Sequence, residues 1–176
     1  MTNFKNVGVA IGIMVGLIVS IFILKAINKD GKFKSKYDEM QEIVRGRAYK
    51  YGFWAIAIYE LIMCVVADPS FDLPLSPFLI HFTAIIVGVM VQVTYSIWHD
   101  AYIALNTNTG RFTAVAIFIS LFNLLIAGIA MARGAMMENG QLQDPFMNLI
   151  VGVMFVIIGI ELLVKNNVDK AAKRED

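Results

Sequence analysis

The chain has 176 residues, of which 58% are hydrophobic, and a mean hydropathy of +0.67, whereas soluble globular domains are about 45–50% apolar. The excess falls in runs of about 20 residues, the length that a bilayer requires, so the composition excludes a soluble protein and leaves no room for a second folded domain. A net charge of +1 says little about partners, and the single cysteine, Cys64, excludes an intramolecular disulfide.

The apolar runs predict an all-α integral membrane protein with five transmembrane helices and a cytoplasmic amphipathic helix that leads into the second span. A cytoplasmic loop over residues 28–49 separates the first two spans, and we expect residues 166–176 to be a disordered tail. The predicted spans cover about residues 7–27, 50–67, 78–98, 112–132 and 146–164.

The first span carries small residues at every fourth position, namely Gly8, Gly12, Gly16 and Ser20. This spacing places them on one stripe of a helix, where another backbone can approach closely. Two interpretations stay open. The stripe packs against another span of the same chain, or it forms the contact of a homo-oligomer through Gly8, Gly12 and Gly16.

Residues 25–51 are the most basic stretch, with eight of the fifteen Lys and Arg residues. Ser35 is a candidate N-cap with Asp38 three residues later. An amphipathic helix is expected to lie on the cytoplasmic surface and to bend near Gly46, with an apolar stripe formed by Tyr37, Met40, Val44, Ala48 and Tyr51.

The distribution of basic residues predicts the orientation. If the basic loop is cytoplasmic, thirteen Lys and Arg residues lie inside, and Lys5 and Arg133 lie outside. The expected topology is therefore five spans, with the N-terminus outside and the C-terminus in the cytoplasm.

Ionisable groups at membrane depth cost at least about 2.5–3.5 kcal/mol on insertion scales, so each is a candidate functional group. Glu60 lies ten residues beyond Lys50, which is about 15 Å along a helix. Gln92 and Asn123 are expected at similar depths, so the three are predicted to converge in a polar cluster at mid-membrane. The cluster is either a proton or cation site or a set of structural hydrogen bonds between spans.

Near the outer surface, His81 is a candidate to join Asp68 and Asp72 in a cation or polar site. The spacing matches no recognised metal motif, and a solvated or helix-capping role is the alternative. We therefore predict no metal centre and no cofactor. Glu161 precedes Lys165 by four residues, a spacing that favours an ion pair.

One segment resembles a known group of proteins. The residues Tyr37, Asp38, Glu39 and Gln41, followed by Arg45, Gly46 and Arg47, form the cytoplasmic elbow. This elbow resembles the Y-D-E-R-Q-x-x-x-R-G-x-A-Y-K-Y segment of small multi-pass membrane proteins from Gram-positive bacteria, although Met40 stands where an arginine is usual. The resemblance implies a location in the bacterial plasma membrane and carries no activity with it.

The sequence contains no HExxH, GxSxG, P-loop or CxxC motif. The leading hypothesis is therefore a non-enzymatic protein that acts through a membrane or cytoplasmic protein partner, as an accessory subunit, sensor or immunity-type factor. The alternative is a small channel or transporter built on the cluster around Glu60. A membrane enzyme using the outer site ranks third, and the expected surroundings are the lipid bilayer, with no nucleic acid.

Overall fold

The computed structural model describes residues 2–66 and 73–175, which are helical apart from one short hairpin. Four helices, α2 to α5, are long and apolar enough to cross a membrane, and α1 contains a shorter apolar segment, Met14–Ile27. This confirms the prediction of an all-helical protein with several helices that are long and apolar enough to cross a membrane. The helices are α1 (Thr2–Ile27), α2 (Glu39–Val66), α3 (Pro77–Trp98), α4 (Thr109–Ala132) and α5 (Phe146–Glu175).

The connections gather at two opposite ends of the helices. At one end, the loop after α1 lies against the connection between α3 and α4, with the Lys29 amide donating to the Asn106 carbonyl at 2.7 Å. At the other end, the Leu142 amide donates to the Pro74 carbonyl at 2.8 Å. This hydrogen bond joins the connection between α4 and α5 to the connection between α2 and α3. Successive helices therefore run in alternating directions.

The second helix begins and runs differently from the prediction. Its N-cap is Asp38 and not Ser35, because the Gln41 amide donates to the Asp38 carboxylate at 2.7 Å. From Glu39 it continues as one helix to Val66, so the elbow belongs to the same helix as the predicted span. Ala48 is fully buried as expected, whereas Met40 is 69% exposed.

Helices α2 and α3 approach most closely at Gly52 and Gly88. A Cβ atom at Gly52 would lie 2.8 Å from the Gly88 carbonyl oxygen, and one at Gly88 would lie 2.4 Å from the Ile56 side chain. Both positions therefore require glycine for the present backbone separation. Membrane helices depend on such close packing because lipid provides no hydrophobic drive for them to associate.

A similar contact joins α4 and α5. The Ser120 hydroxyl donates to the Gly152 carbonyl at 3.1 Å, and a Cβ atom at Gly152 would lie 2.7 Å from the Leu124 side chain. Helix α5 also packs on α3, where Val93, Ile97 and Ile158 form the centre of the apolar core.

Helix α1 packs differently from the other four. Among the side chains that the structure describes, α1 buries only Ile27, its last residue. Its apolar residues from Met14 to Phe22 are each at least 47% exposed. Its main helix partner is α4, so α1 is held at one end, and none of its described side chains before Ile27 is buried.

A β-hairpin was not predicted between α4 and α5. Strands β1 (Met137–Glu138) and β2 (Gln141–Leu142) pair antiparallel across Asn139 and Gly140, both of which have positive φ. Asn-Gly is the preferred pair for such a two-residue turn. The signal was therefore present in the sequence, between the predicted spans 112–132 and 146–164.

The C-terminal segment also differs from the prediction. Residues 166–175 continue α5 as helix, where the sequence predicted a disordered tail. The extra turns place Lys165 and Asp169 one helical turn apart on the same face, with Lys165 Nζ 2.6 Å from the Asp169 carboxylate.

We predict that Gly52→Ala lowers the free energy of unfolding by about 1–3 kcal/mol, because the added methyl group meets a backbone carbonyl that side-chain movement cannot clear. The measurement is the thermal unfolding midpoint in mild detergent. The matched control is Gly128→Ala in α4, where no described atom lies within 4 Å of the new Cβ. This control is expected to be neutral or stabilising by about 0.5–1 kcal/mol. Equal midpoints for both variants would contradict the prediction.

Candidate functional site

The most extensive polar arrangement lies where the loop after α1 meets the connection between α3 and α4. We call Asn28, Asp30, Lys36, Asn106 and Thr107 the loop cluster. Asn28 and Thr107 form a bridge of antiparallel type, and both are buried together with Asn106. Burial of three polar side chains is tolerated only when hydrogen bonds satisfy them.

Asn106 is the centre of the loop cluster. Its side-chain oxygen accepts from the Lys36 amide at 2.8 Å. Its side-chain nitrogen donates to the Lys34 carbonyl and to the Asp30 carboxylate, each at 3.1 Å. One amide group therefore binds three points of the basic loop, using both the donor and the acceptor capacity of its side chain.

Asn28, just after the end of α1, also joins the two loops through its side-chain amide. It is 1% exposed, its side-chain nitrogen donates to the Lys32 carbonyl at 2.8 Å, and its oxygen accepts from the Thr107 hydroxyl at 3.2 Å. The adjoining backbone continues the contact, since the Asn108 amide donates to the Ile27 carbonyl at 2.8 Å. The end of α1 is thus bound directly to the start of α4.

Asp30 provides the charge of the loop cluster. Its carboxylate accepts from the Lys32 amide at 3.2 Å and lies 3.2 Å from Lys36 Nζ. The Lys32 amide, together with the Lys36 and Asn106 side chains, lowers the pKa of Asp30 below its usual 3.8. The loop is therefore stabilised by the ionised form of Asp30.

The elbow residues connect α2 to the same end of the molecule. Beyond its capping contact with Asp38, Gln41 donates from its side-chain nitrogen to the Asp100 carbonyl at 2.8 Å and to the Ile103 carbonyl at 3.3 Å. Gln41 therefore holds the first turn of α2 against the connection between α3 and α4.

Arg45 is the other elbow residue with defined contacts. Its guanidinium carbon lies 3.9 Å above the centre of the Tyr37 ring, and the group donates to the Tyr49 hydroxyl at 3.2 Å. A cation over an aromatic face is attracted to the electrons of the ring. Glu39, Gly46 and Arg47 are exposed on the opposite side of the helix.

Glu60 lies close to one predicted site residue, His81. The two carboxylate oxygens of Glu60 are 3.0 and 3.2 Å from His81 Nδ1. Glu60 is six residues before the end of α2 and His81 is four residues after the start of α3, so the pair lies about 6–9 Å from the helix ends. The depth of Glu60 in a bilayer stays a prediction.

The structure does not bring Glu60, Gln92 and Asn123 into one cluster of hydrogen bonds. Asn123 donates from its side-chain nitrogen to the Ile119 carbonyl of its own helix at 2.8 Å. Gln92 packs next to Gly52, where its Cβ atom limits the space for a larger residue. The described hydrogen bonds of Glu60 and Asn123 thus run to different helices.

The other two residues of the predicted outer site, Asp68 and Asp72, lie outside the described residues. Among the residues that the structure describes, no group of three or more His, Cys, Asp or Glu side chains could hold a metal ion. The outer cation or polar site therefore stays a prediction, and the contact that the structure describes for His81 is with Glu60.

The expected ion pair between Glu161 and Lys165 is not formed. Glu161 accepts instead from the Thr94 hydroxyl of α3 at 2.8 Å. Lys165 forms ion pairs with Asp100 and Asp169. Its Nζ atom lies 3.1 Å from the Asp100 carboxylate and 2.6 Å from the Asp169 carboxylate. Spacing along one helix cannot reveal such contacts between helices, which compete with an i,i+4 pair.

The loop cluster is built to position helices. In residues 2–66 and 73–175, every buried side-chain nitrogen or oxygen has a hydrogen-bond partner, so the loop cluster presents no free buried group to a substrate. Residues 101–111 lie between two predicted spans, and no contact was predicted for them. The available signal was the Asn-Thr-Asn-Thr run of residues 106–109, because such residues are typical of turns and helix caps, and Asn108 does cap α4.

Comparison of the chain with protein-family models, with curated proteins and with solved structures gave no match.

We predict that Asn106→Ala makes trypsin cleave the segment of residues 29–36 at least about tenfold faster. The substitution removes three side-chain hydrogen bonds to this loop, each worth about 1 kcal/mol net, so the loop opens more often. The segment carries exposed lysines, which are trypsin sites. Fragment masses from limited digestion in mild detergent give the rate. Asn167→Ala, at an exposed position of α5, is the control, and an unchanged rate in Asn106→Ala would show that the loop is held by other contacts.

We also predict a pH dependence that arises from Asp30. Because its folded pKa is below 3.8, its stabilisation of the loop is complete above that pH and is lost as the pH falls through the folded pKa. Hydrogen exchange of residues 28–38, corrected for intrinsic rates, should show protection that decreases below about pH 3.8. Asp30→Asn should be less protected at pH 6 and lose this dependence. Asp144→Asn, at the other end of the molecule, should behave as wild type; if it alters the segment equally, Asp30 is not the cause.

Proposed function

We propose that this chain is a non-enzymatic, multi-pass protein of the bacterial plasma membrane that acts through protein interaction, with α1 as the binding helix. It would serve as an accessory subunit, sensor or immunity-type factor, as expected from the absence of catalytic motifs. The proposal rests on one observation, namely that α1 is fixed at its end by the loop cluster while its apolar length is uncovered.

The glycines support a second copy of the chain as the partner. Inside the chain, Gly52, Gly88 and Gly152 are each used where two helices touch. At Gly12 and Gly16, by contrast, no described atom lies within 4 Å of a built Cβ. A stripe of small residues that its own chain leaves uncovered fits an identical stripe, because both backbones can then approach closely in a two-fold symmetric pair.

The proposal includes the five-span topology, with α1 as the first span and the N-terminus outside. It is supported by the charge distribution, with thirteen of the fifteen Lys and Arg residues on the side of the basic loop. The resemblance of the elbow to proteins of Gram-positive bacteria supports the bacterial plasma membrane as the location.

The alternative of a channel or transporter depends on a shared path for Glu60, Gln92 and Asn123. Glu60 is in contact with His81, and Asn123 donates to its own helix. This arrangement favours the interaction hypothesis over the transport hypothesis.

We predict that the protein self-associates in liposomes and that Gly16→Ile weakens the association roughly five- to hundredfold, since a bulky residue in a close helix contact costs about 1–3 kcal/mol. Energy transfer between donor- and acceptor-labelled chains at several lipid-to-protein ratios gives the apparent dissociation constant. Cys64 is an exposed single cysteine on α2 and serves as the labelling site.

Gly128→Ile is the matched control, because Gly128 is also an exposed helical glycine with no described atom within 4 Å of a built Cβ. It should associate as wild type does. The proposal fails if energy transfer stays at the level of random proximity at every dilution, or if both isoleucine variants associate equally well.

A further inference from the structure

A groove runs between α4 and α5 in the half of this helix pair that lies nearest the loop cluster. Its volume is about 760 Å³, within the range of about 300–1,000 Å³ typical of small-molecule sites. It extends from Leu121 to Thr109 on α4 and from Phe155 to Asp169 on α5. At the helical rise, these distances correspond to about 18–21 Å.

The walls of the groove are apolar over most of this length. At its deep end, the contact between Ser120 and Gly152 brings the two helices together. Burial raises the pKa of Tyr102 on the wall to about 12, so its hydroxyl is uncharged. The groove is slightly longer than one leaflet, which is about 15 Å or half of a bilayer hydrocarbon core. The main apolar lining residues are Ile97, Phe112, Ile117, Phe155, Ile158 and Leu162.

The mouth of the groove, in contrast, is charged. Lys165 Nζ lies 3.1 Å from Asp100 and 2.6 Å from Asp169. The Lys165 side chain is only 15% exposed, whereas the side chains of Asp100 and Asp169 are 73% and 41% exposed. The lysine therefore lies beneath two carboxylates, and the outer surface of the mouth is negative.

The backbone at the mouth is unusual as well. Asp100 has a φ of 59°, a left-handed conformation that residues other than glycine adopt at a cost in energy. Gln41 binds the Asp100 carbonyl from α2, and Lys165 binds its carboxylate from α5. Two helices thus hold this strained residue at the edge of the groove.

We propose that the groove binds one aminophospholipid, with an acyl chain between α4 and α5 and the primary ammonium of the headgroup at the carboxylates of Asp100 and Asp169. The two carboxylates and the Lys165 ammonium together carry a net charge of −1, which one primary ammonium neutralises while it donates up to three hydrogen bonds. An anionic headgroup would meet these carboxylates before it reached Lys165, and a choline headgroup carries no N–H donor. The site is separate from α1, so it holds or fails independently of self-association.

The test is native mass spectrometry of the full chain after removal of lipid and incubation with phosphatidylethanolamine, phosphatidylcholine and phosphatidylglycerol of identical acyl chains. We expect one phosphatidylethanolamine per chain, retained at least about fivefold over phosphatidylglycerol, the discrimination that corresponds to one charge contact at a membrane surface. The double variant Asp100→Asn with Asp169→Asn should bring the two lipids to within about twofold of each other.

A second variant tests the groove itself. Gly159 lines the groove, and no described atom lies within 4 Å of its built Cβ, so Gly159→Leu adds volume at the groove and its Cβ atom meets no described atom. Gly128→Leu, outside the groove, is the matched control, and Ala116→Leu repeats the test from the opposite wall. We expect both groove variants to lose the bound lipid, whereas the control retains it. Equal or stronger retention of phosphatidylglycerol by wild type, or full retention of phosphatidylethanolamine by both groove variants, would overturn the proposal.

Discussion

The side-chain amide of Asn106 holds the two loops on which the placement of the helices depends. It is buried, and it binds the basic loop at Asp30, Lys34 and Lys36. That loop joins α1 to α2, and Asn106 itself lies between α3 and α4. A flexible lysine-rich connection thereby becomes an ordered one, because its backbone donors and acceptors find partners in a second loop and need not rely on water.

This arrangement explains how α1 can be both fixed and uncovered. Its last residue, Ile27, is buried and bonded to the start of α4, while the rest of the helix has little contact with the bundle. In lipid, apolar exposure costs nothing, so such a helix is stable without covering itself. Helix α1 differs in its glycine stripe. A built Cβ at Gly12 or Gly16 has no described atom within 4 Å, whereas one at Gly52 or Gly152 would meet a neighbouring helix.

Three charged residues within the helices make contacts of one kind. Glu60 meets His81, Glu161 meets Thr94, and Lys165 meets Asp100, in each case across two different elements. These contacts satisfy groups that would otherwise be costly near the hydrocarbon. They also shape the proposed lipid groove, because Lys165 contacts both Asp169 on its own helix and Asp100 in the connection between α3 and α4.

The sequence alone determined the all-helical class and the presence of several long apolar helices, because runs of about 20 apolar residues have few alternatives in a membrane protein. It placed the N-cap of α2 at Ser35, three residues before the observed cap, Asp38. Only the tertiary structure decided which polar residues meet. Asn106 lies 70 residues from Lys36 in the chain, and Glu60 lies 21 residues from His81. Helical periodicity gives the face and depth of a residue, but its partner depends on which helices are neighbours and on their relative rotation, and a single sequence does not contain this information in local form.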